Sequence, residues 1–389
     1  MEDYTKYLAS LESIDNYSVI INVNNKTCKY GSNDKFAIGS LSKSFGAYLL
    51  YCSVQQQLCA YEDLVSTYYP LKSDITLRDL IIHNTPYDSH LFTQLIDFGF
   101  DINFIKQKLS NEIPTKDKEF HYNNIFYVIL SDILEKINKK PINELFNELV
   151  KSIGLNETGF TNNPIQGYYV DTEYKIKPTK LIRETSVFGF AGGIISTTND
   201  MLLWANFIKK IPDFLKLYDG YWYGNGYWTA DEKRITRCHT GSVFGYSTAF
   251  IIVPEYDISI CALCNLTNAL FPSRIINYIM RTEYNMLTFN IVSPLLDELP
   301  LPCSIKEGYY MNGMIGKIRI HNNTIFIGSV VGNLKCVNIA SKEYIVMWND
   351  GQYNYYNSDK IKQVDNNIEL IFEAMYHTPL LCKPIDDNN

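Results

Sequence analysis

In the stretch "FAIGSLSKSFGAYLL", Phe36 to Leu50, Ser40 stands three residues before Lys43 at the head of an apolar run. A serine hydroxyl is a poor nucleophile until a neighbouring base takes its proton. On a helix, residues i and i+3 share a face, about 4.5 Å apart along the axis. Lysine can act as that base only when burial or nearby positive charge lowers its pKa from ~10.4. The apolar flanks Phe36, Ile38 and Phe45 favour such a shift. A helix start also supplies backbone N–H groups for a developing oxyanion. The competing reading is plain N-capping by Ser40 or Ser42, with a solvated lysine. A second SxxK, Ser32 to Lys35 in "GSNDKF", lies in a polar turn and serves as an internal decoy.

Two further patterns follow in order. "HYNN" places Tyr122 and Asn124 directly before a long amphipathic segment. Tyr-x-Asn alone says little in a chain of 30 tyrosines, since Tyr223–Asn225 and Tyr355–Asn357 match it too. "CHTGSVFGYSTAFIIVPE" then carries His239, Thr240, Gly241 and Ser242 into a strand-like run.

The elements that must hold these residues show in the patterning. "YSVIINV" and "CKYGS" read as strands around "NNK". A helix is expected over about 41–58. "ITLRDLIIHN" reads as a short helix with Thr76 as N-cap and Asp79 at N3. "NIFYVILSDILEKIN" has apolar residues at helical spacing. "PINELFNELVKSIGL" is a helix opened by Pro141 and closed before Gly154. Thr197 caps "STTNDMLLWANFIKKI", and "PSRIINYIMRTEY" is a last helix. "STAFIIVP" and "DISICALCNL" read as buried strands. "SPLLDELPLPC" reads as a linker, followed by short alternating strands with the hairpin turns "HNN" and "NDG". The expected organisation is an α+β body over 1–287, a linker over 288–305 and an all-β domain over 306–389.

Composition narrows the function classes. The chain has 389 residues, 46% of them hydrophobic, with a formal net charge of -7, which argues against a nucleic-acid partner. The N-terminus is acidic and lacks a signal-like apolar stretch, and no apolar run reaches the ~18 residues of a membrane span. A cytoplasmic protein with no membrane partner is expected. The 9 cysteines have irregular spacing. Cys261-x-x-Cys264 sits in an apolar strand and reads as core thiols. His90, His121, His321 and His377 form no ligand cluster, so neither a metal nor another cofactor is expected. His83 is expected to fix a helix end; Trp222 and Trp228 could line a cleft or fill core, and core is the expectation.

Serine–lysine, tyrosine–asparagine and a basic residue–Thr–Gly, in that order, resemble the β-lactamase-related serine hydrolases of the class C type. That family includes penicillin-binding proteins, D-aminopeptidases, esterases and the mitochondrial β-lactamase-like protease. The resemblance runs from about Tyr17 to Tyr284. It includes "FAIGSLSKSF", "ITLRDLIIHN", "YNNIFYVILSDILEKI", "LFNELVKSIGLNETGF", "AGGIISTTNDMLLWANFI" and "HTGSVFGYSTAFIIVPE" in family order. It implies an antiparallel sheet flanked by helices plus an all-helical subregion. The C-terminal module resembles the lipocalin-like domain appended to some members.

The resemblance also implies roles. Ser40 would be the acylated nucleophile, Lys43 and Tyr122 would share its proton, and Asn124 would bind the substrate amide and Lys43. The backbone N–H groups of Ser40 and Ser242 would form an oxyanion hole. His239 and Thr240 would face the far end of a small-molecule or peptide substrate. Many β-lactamases carry lysine where this chain has His239. A largely neutral histidine weakens recognition of the drug's carboxylate and allows a proton relay. The expected substrate is therefore an amide or ester rather than a β-lactam. "HNTPYD", His83 to Asp88, replaces the family's usual Thr-Ser-Gly turn. The rival expectation is an inactive or slow member that binds acyl-peptide ligands or protein partners.

Overall fold

The computed structural model describes residues 2–284 and 305–386, except 90, 98–99, 115, 162, 171–174, 180–184, 217–220, 230–235, 244, 314, 328–329, 339–341, 349–358 and 373–379. Its centre is an antiparallel seven-stranded sheet. In spatial order the strands are Lys26–Gly31, Tyr17–Val23, Ile258–Cys264, Tyr246–Val253, Arg237–Val243, Tyr227–Trp228 and Tyr223–Gly224. The two central strands, Tyr246–Val253 and Ile258–Cys264, are buried at every residue. Both sheet faces are covered, so these strands read as continuous apolar runs without alternation.

The two faces belong to different cores. Ala249, Ile251 and Val253 pack with the helices Glu2–Leu11 and Phe271–Tyr284. Phe250 and Ile252 join the larger core with the Lys43–Gln55 and Thr198–Ile208 helices. Cys261 falls in the larger core and Cys264 in the smaller. An odd spacing on a strand points two side chains to opposite faces. Both are free thiols, as the core reading expects.

The helices start and stop where capping chemistry places them. Thr76 accepts from the Asp79 N–H while Asp79 accepts from the Thr76 N–H, a full capping box. Thr197 Oγ1 accepts from the Asp200 N–H. Gly154 ends the Ile142–Ile153 helix at φ 84, a left-handed conformation that costs glycine nothing. The N-terminal helix Glu2–Leu11 is not among the elements expected from the sequence.

From Gly308 to Ile385, eight antiparallel strands run in sequence order, and the first pairs with the last to close a barrel. Ile318, Ile320, Ile325 and Ile327 point inward with the period of 2 that a barrel wall requires. Asn322 and Asn323 turn the "HNN" hairpin with φ 51 and 53, the values a type I′ turn needs. The expected linker over 288–305 and the "NDG" turn lie largely outside the described residues. No helix among the described residues is long and apolar enough to cross a membrane.

Candidate active site

Ser40 does not sit on an α-helix. It lies in a 3-10 turn, Gly39–Ser42, that leads into the Lys43–Gln55 helix. In a 3-10 turn the side chains at i and i+3 eclipse, which sets Lys43 directly over Ser40. Lys43 Nζ is 2.9 Å from Ser40 Oγ. Neither Ser40 nor Ser42 caps the helix: Ser42 makes no side-chain cap bond, and its Oγ accepts from the Ile194 N–H at 3.2 Å. The capping reading of this stretch is therefore excluded.

The helix behind the site is nearly all buried. Phe45 stacks on Trp204 at 4.2 Å, and full burial of such a side chain stabilises by about 1.5–3 kcal/mol. Gly46 faces Phe190, whose Cγ lies 2.6 Å from where a Cβ would stand. This packing locks the turn that carries Ser40.

Tyr122 and Asn124 reach the same point from a second element. The short strand Glu119–Phe120 pairs with Asn84–Thr85, and Asn123 is extended at φ -144 before the Asn124–Asn138 helix begins. Residues i and i+2 of an extended segment face one way, so both side chains turn to Lys43. The Tyr122 hydroxyl donates to Ser40 Oγ at 3.0 Å. Lys43 Nζ donates to Asn124 Oδ1 at 2.6 Å and to the Ala191 carbonyl at 2.8 Å. The Ala191 carbonyl is a partner that no side-chain pattern could reveal.

Electrostatics favour a neutral base. Lys43 is fully buried, and no carboxylate pairs with it among the described residues. Burial holds its pKa well below the ordinary lysine range. Burial pushes the Tyr122 phenol up, so it stays protonated near neutral pH. A neutral Lys43 amine at 2.9 Å can accept the Ser40 proton, with the hydrogen-bond roles reversed. Lys43 and Tyr122 both lie within hydrogen-bond reach of Ser40 Oγ, as the expectation that they share its proton requires.

The third element is the strand Arg237–Val243. Its backbone lies so close to the Ser40 turn that both sides require glycine. A Cβ on Gly39 would stand 3.0 Å from the Ser242 N, and one on Gly241 would stand 2.6 Å from the Ile38 O and 3.0 Å from the Ser40 N. Gly39 also has φ 53. The N–H groups of Ser40 and Ser242 therefore belong to adjoining backbones. Thr240 and Ser242 are exposed, and Ser242 Oγ donates to Asn268 Oδ1 at 2.6 Å.

His239 is placed differently from the expectation. Its ring is only 3% exposed. Nδ1 faces the Thr240 carbonyl and Nε2 lies 3.4 Å from the Tyr223 hydroxyl. Burial, aided by the Lys43 charge, lowers its pKa to about 3. A ring held so far from protonation near pH 7 is a weak relay. The imidazole packs among Tyr122, Tyr223 and Trp228.

His83 is fully buried, in the left-handed region at φ 59. Its Nδ1 accepts from the Asn123 N–H at 3.2 Å, and its ring lies 4.5 Å from that of Tyr122. It does more than end a helix, since it backs the Tyr122 ring. Trp222 is no core residue: it is 54% exposed. Trp228 is half-buried and stacks on Tyr122 at 6.1 Å. Both belong to a hairpin turned by Asn225–Gly226, with φ 51 and 79. Asn-Gly is a strong hairpin signal, and the tyrosine-rich surroundings hid it. Among the described residues no cluster of His, Cys, Asp and Glu could hold a metal ion.

The Beta-lactamase family model matches residues 12–281. The chain belongs to the Beta-lactamase family. Protein flp of Staphylococcus aureus (strain MRSA252) is 20% identical over 329 residues, which cover 73% of this chain and 66% of that protein, so the match spans just under two thirds of the curated relative. The fold matches the octameric penicillin-binding protein homologue from Pyrococcus abyssi with a TM-score of 0.62 at 18% identity, over 98% of this chain and 99% of that one. A D-stereospecific amidohydrolase from Streptomyces sp. matches with a TM-score of 0.61 at 14% identity, over 74% of this chain and 99% of that one.

Proposed function

We propose that this Beta-lactamase family member is a serine hydrolase that cleaves an amide or ester through an acyl-enzyme on Ser40. The observation that carries the reading is the convergence of Lys43 Nζ and Tyr122 OH on Ser40 Oγ, at 2.9 and 3.0 Å. Lys43 takes the Ser40 proton as Oγ bonds to the carbonyl carbon. The carbonyl electron pair moves onto oxygen, where the Ser40 and Ser242 N–H groups receive it. Collapse of the intermediate expels the amine or alcohol, which takes a proton from Lys43 through Tyr122. Water then attacks the ester, activated by the same groups in reverse, and Ser40 is regenerated. Asn124 holds Lys43 and the substrate amide.

A substrate of peptidase, D-aminopeptidase or esterase type fits better than a β-lactam. His239 is buried and presents no cation to a drug carboxylate. The amidohydrolase likeness supports the same direction. No metal or other cofactor enters the reaction as proposed. The unit over 306–389 is proposed to be a lipocalin-like domain, on the strength of its eight up-and-down strands, with the hydrolase domain over 1–287 and a linker between. A cytoplasmic location is supported by seven free cysteines among the described residues.

The test is intact mass after exposure to a fluorophosphonate, for wild type and Ser40→Ala. One adduct in wild type and none in the variant is the expected result. No adduct in either would favour the alternative of a ligand-binding, non-catalytic member. Turnover of nitrocefin above that of nitrophenyl esters and D-amino-acid amides would overturn the substrate ranking.

A further inference from the structure

A continuous run of aromatic rings begins at Tyr122 and ends in solvent. Tyr122 and Trp228 stack at 6.1 Å with their planes 16° apart. Trp228 lies 4.8 Å from Trp222, and Phe120 touches both, at 5.3 and 4.9 Å. The Asn225–Gly226 hairpin sets Trp222 and Trp228 side by side, with the Thr229 N–H closing on the Trp222 carbonyl at 3.0 Å. A singly exposed apolar side chain is ordinary. Here the exposed indole is the outer end of a surface whose inner end hydrogen-bonds Ser40 Oγ. Flat π faces prefer offset or edge contacts with other rings. Among the described residues, the basic side chains that touch these rings are buried: Lys43 lies against Tyr122, His83 lies against Tyr122 and Phe120 with Nδ1 accepting from the Asn123 N–H, and His239 is turned to its own strand and to Tyr223.

We propose that Trp222, Trp228 and Phe120 are specificity-determining residues that bind a flat apolar group, an aryl ring without an anionic substituent, on the ester or amide that Ser40 attacks. This rests on the hydrolase reading above for its chemistry, but its binding step is measurable without catalysis. Ser40→Ala keeps the wall and removes turnover. That variant is titrated with N-acetylphenylalanine amide, N-acetylleucine amide and N-acetylphenylalanine, read by tryptophan fluorescence and calorimetry. The same titrations are made on Ser40→Ala/Trp222→Ala, whose second change is at an exposed position and spares the core. The aryl amide should bind about tenfold tighter than the leucine amide, and tighter than the free carboxylate, and the preference should shrink to within about twofold without Trp222. Equal affinities, tighter binding of the carboxylate, no binding of the aryl amide, or a preference that survives loss of Trp222 would each overturn the proposal. Adduct formation on Ser40 is read separately, so failure of the hydrolase reading leaves this result standing, and the reverse also holds.

Discussion

The chain contains the same tetrapeptide pattern twice, eight residues apart, with opposite outcomes. At the first copy, Ser32 Oγ donates to Asn16 Oδ1 at 2.6 Å and accepts from the Asp34 N–H. Lys35 points elsewhere and pairs with Glu157 at 2.5 Å, both partly exposed. At the second copy, Ser40 and Lys43 face each other at 2.9 Å, with the lysine fully buried. The first serine follows a strand into an open turn, and the second opens a 3-10 turn and a buried helix. The residue types are the same. What differs is whether the backbone eclipses i with i+3 and whether the surroundings strip water from the amine.

The contrast can be broken most sharply at the serines. Ser40→Ala should lower turnover by roughly 10⁴-fold or more, whereas Ser32→Ala should leave it unchanged; comparable losses in both would remove the distinction. At the lysines, Lys43→Met should cost roughly 10³-fold in kcat, with the fold retained by circular dichroism. Turnover within a few-fold of wild type would mean that another group takes the Ser40 proton. Gly241→Ala should cost roughly 10²-fold in kcat, because the new methyl presses on the Ile38 O and the Ser40 N. A KM effect alone would place the damage outside the oxyanion site.

The pH profile sharpens the electrostatic half of the contrast. A lysine with a lowered pKa loses its proton earlier, so kcat/KM should rise with pH and level off below the usual lysine range. His239, lowered to about 3, should add no limb near 6.5. A limb there that vanishes in His239→Gln would contradict the burial argument. The same depression gives a linkage: His239 contributes stability that is present above about pH 6.5 and lost as pH falls toward about 3. The smallest effect belongs to Lys35→Met, which should cost at most about 1 kcal/mol in a urea titration, since a partly exposed ion pair is screened by solvent.

Much of the body was legible. The helices over 124–138 and 142–153 carry their apolar faces at helical spacing, Gly154 closes the second of them, and Thr76 and Thr197 open the helices over 77–81 and 198–208. The order of Ser40, Lys43, Tyr122 and Asn124 points to four side chains that converge in the structure, because each carries its signature in its own functional group. What escaped was contributed by backbone or by context. The Ala191 carbonyl has no side-chain signature, and His83 gained its place from a left-handed turn. For Trp222 and Trp228 the sequence leaves cleft lining and core both open and favours core, since strands of two residues such as Tyr227–Trp228 show no period that separates an exposed face from an interior. His239 looked like a substrate contact because sequence order does not say which way a ring turns.

The meeting of Gly39 and Gly241 has a consequence for anyone who would diversify this cleft. Two segments of one chain touching backbone to backbone leave no room for a side chain on either. A randomised library should therefore hold both glycines constant and vary Trp222 and Phe120, where a new residue changes the aromatic run while Ser40, Lys43 and Tyr122 keep their spacing.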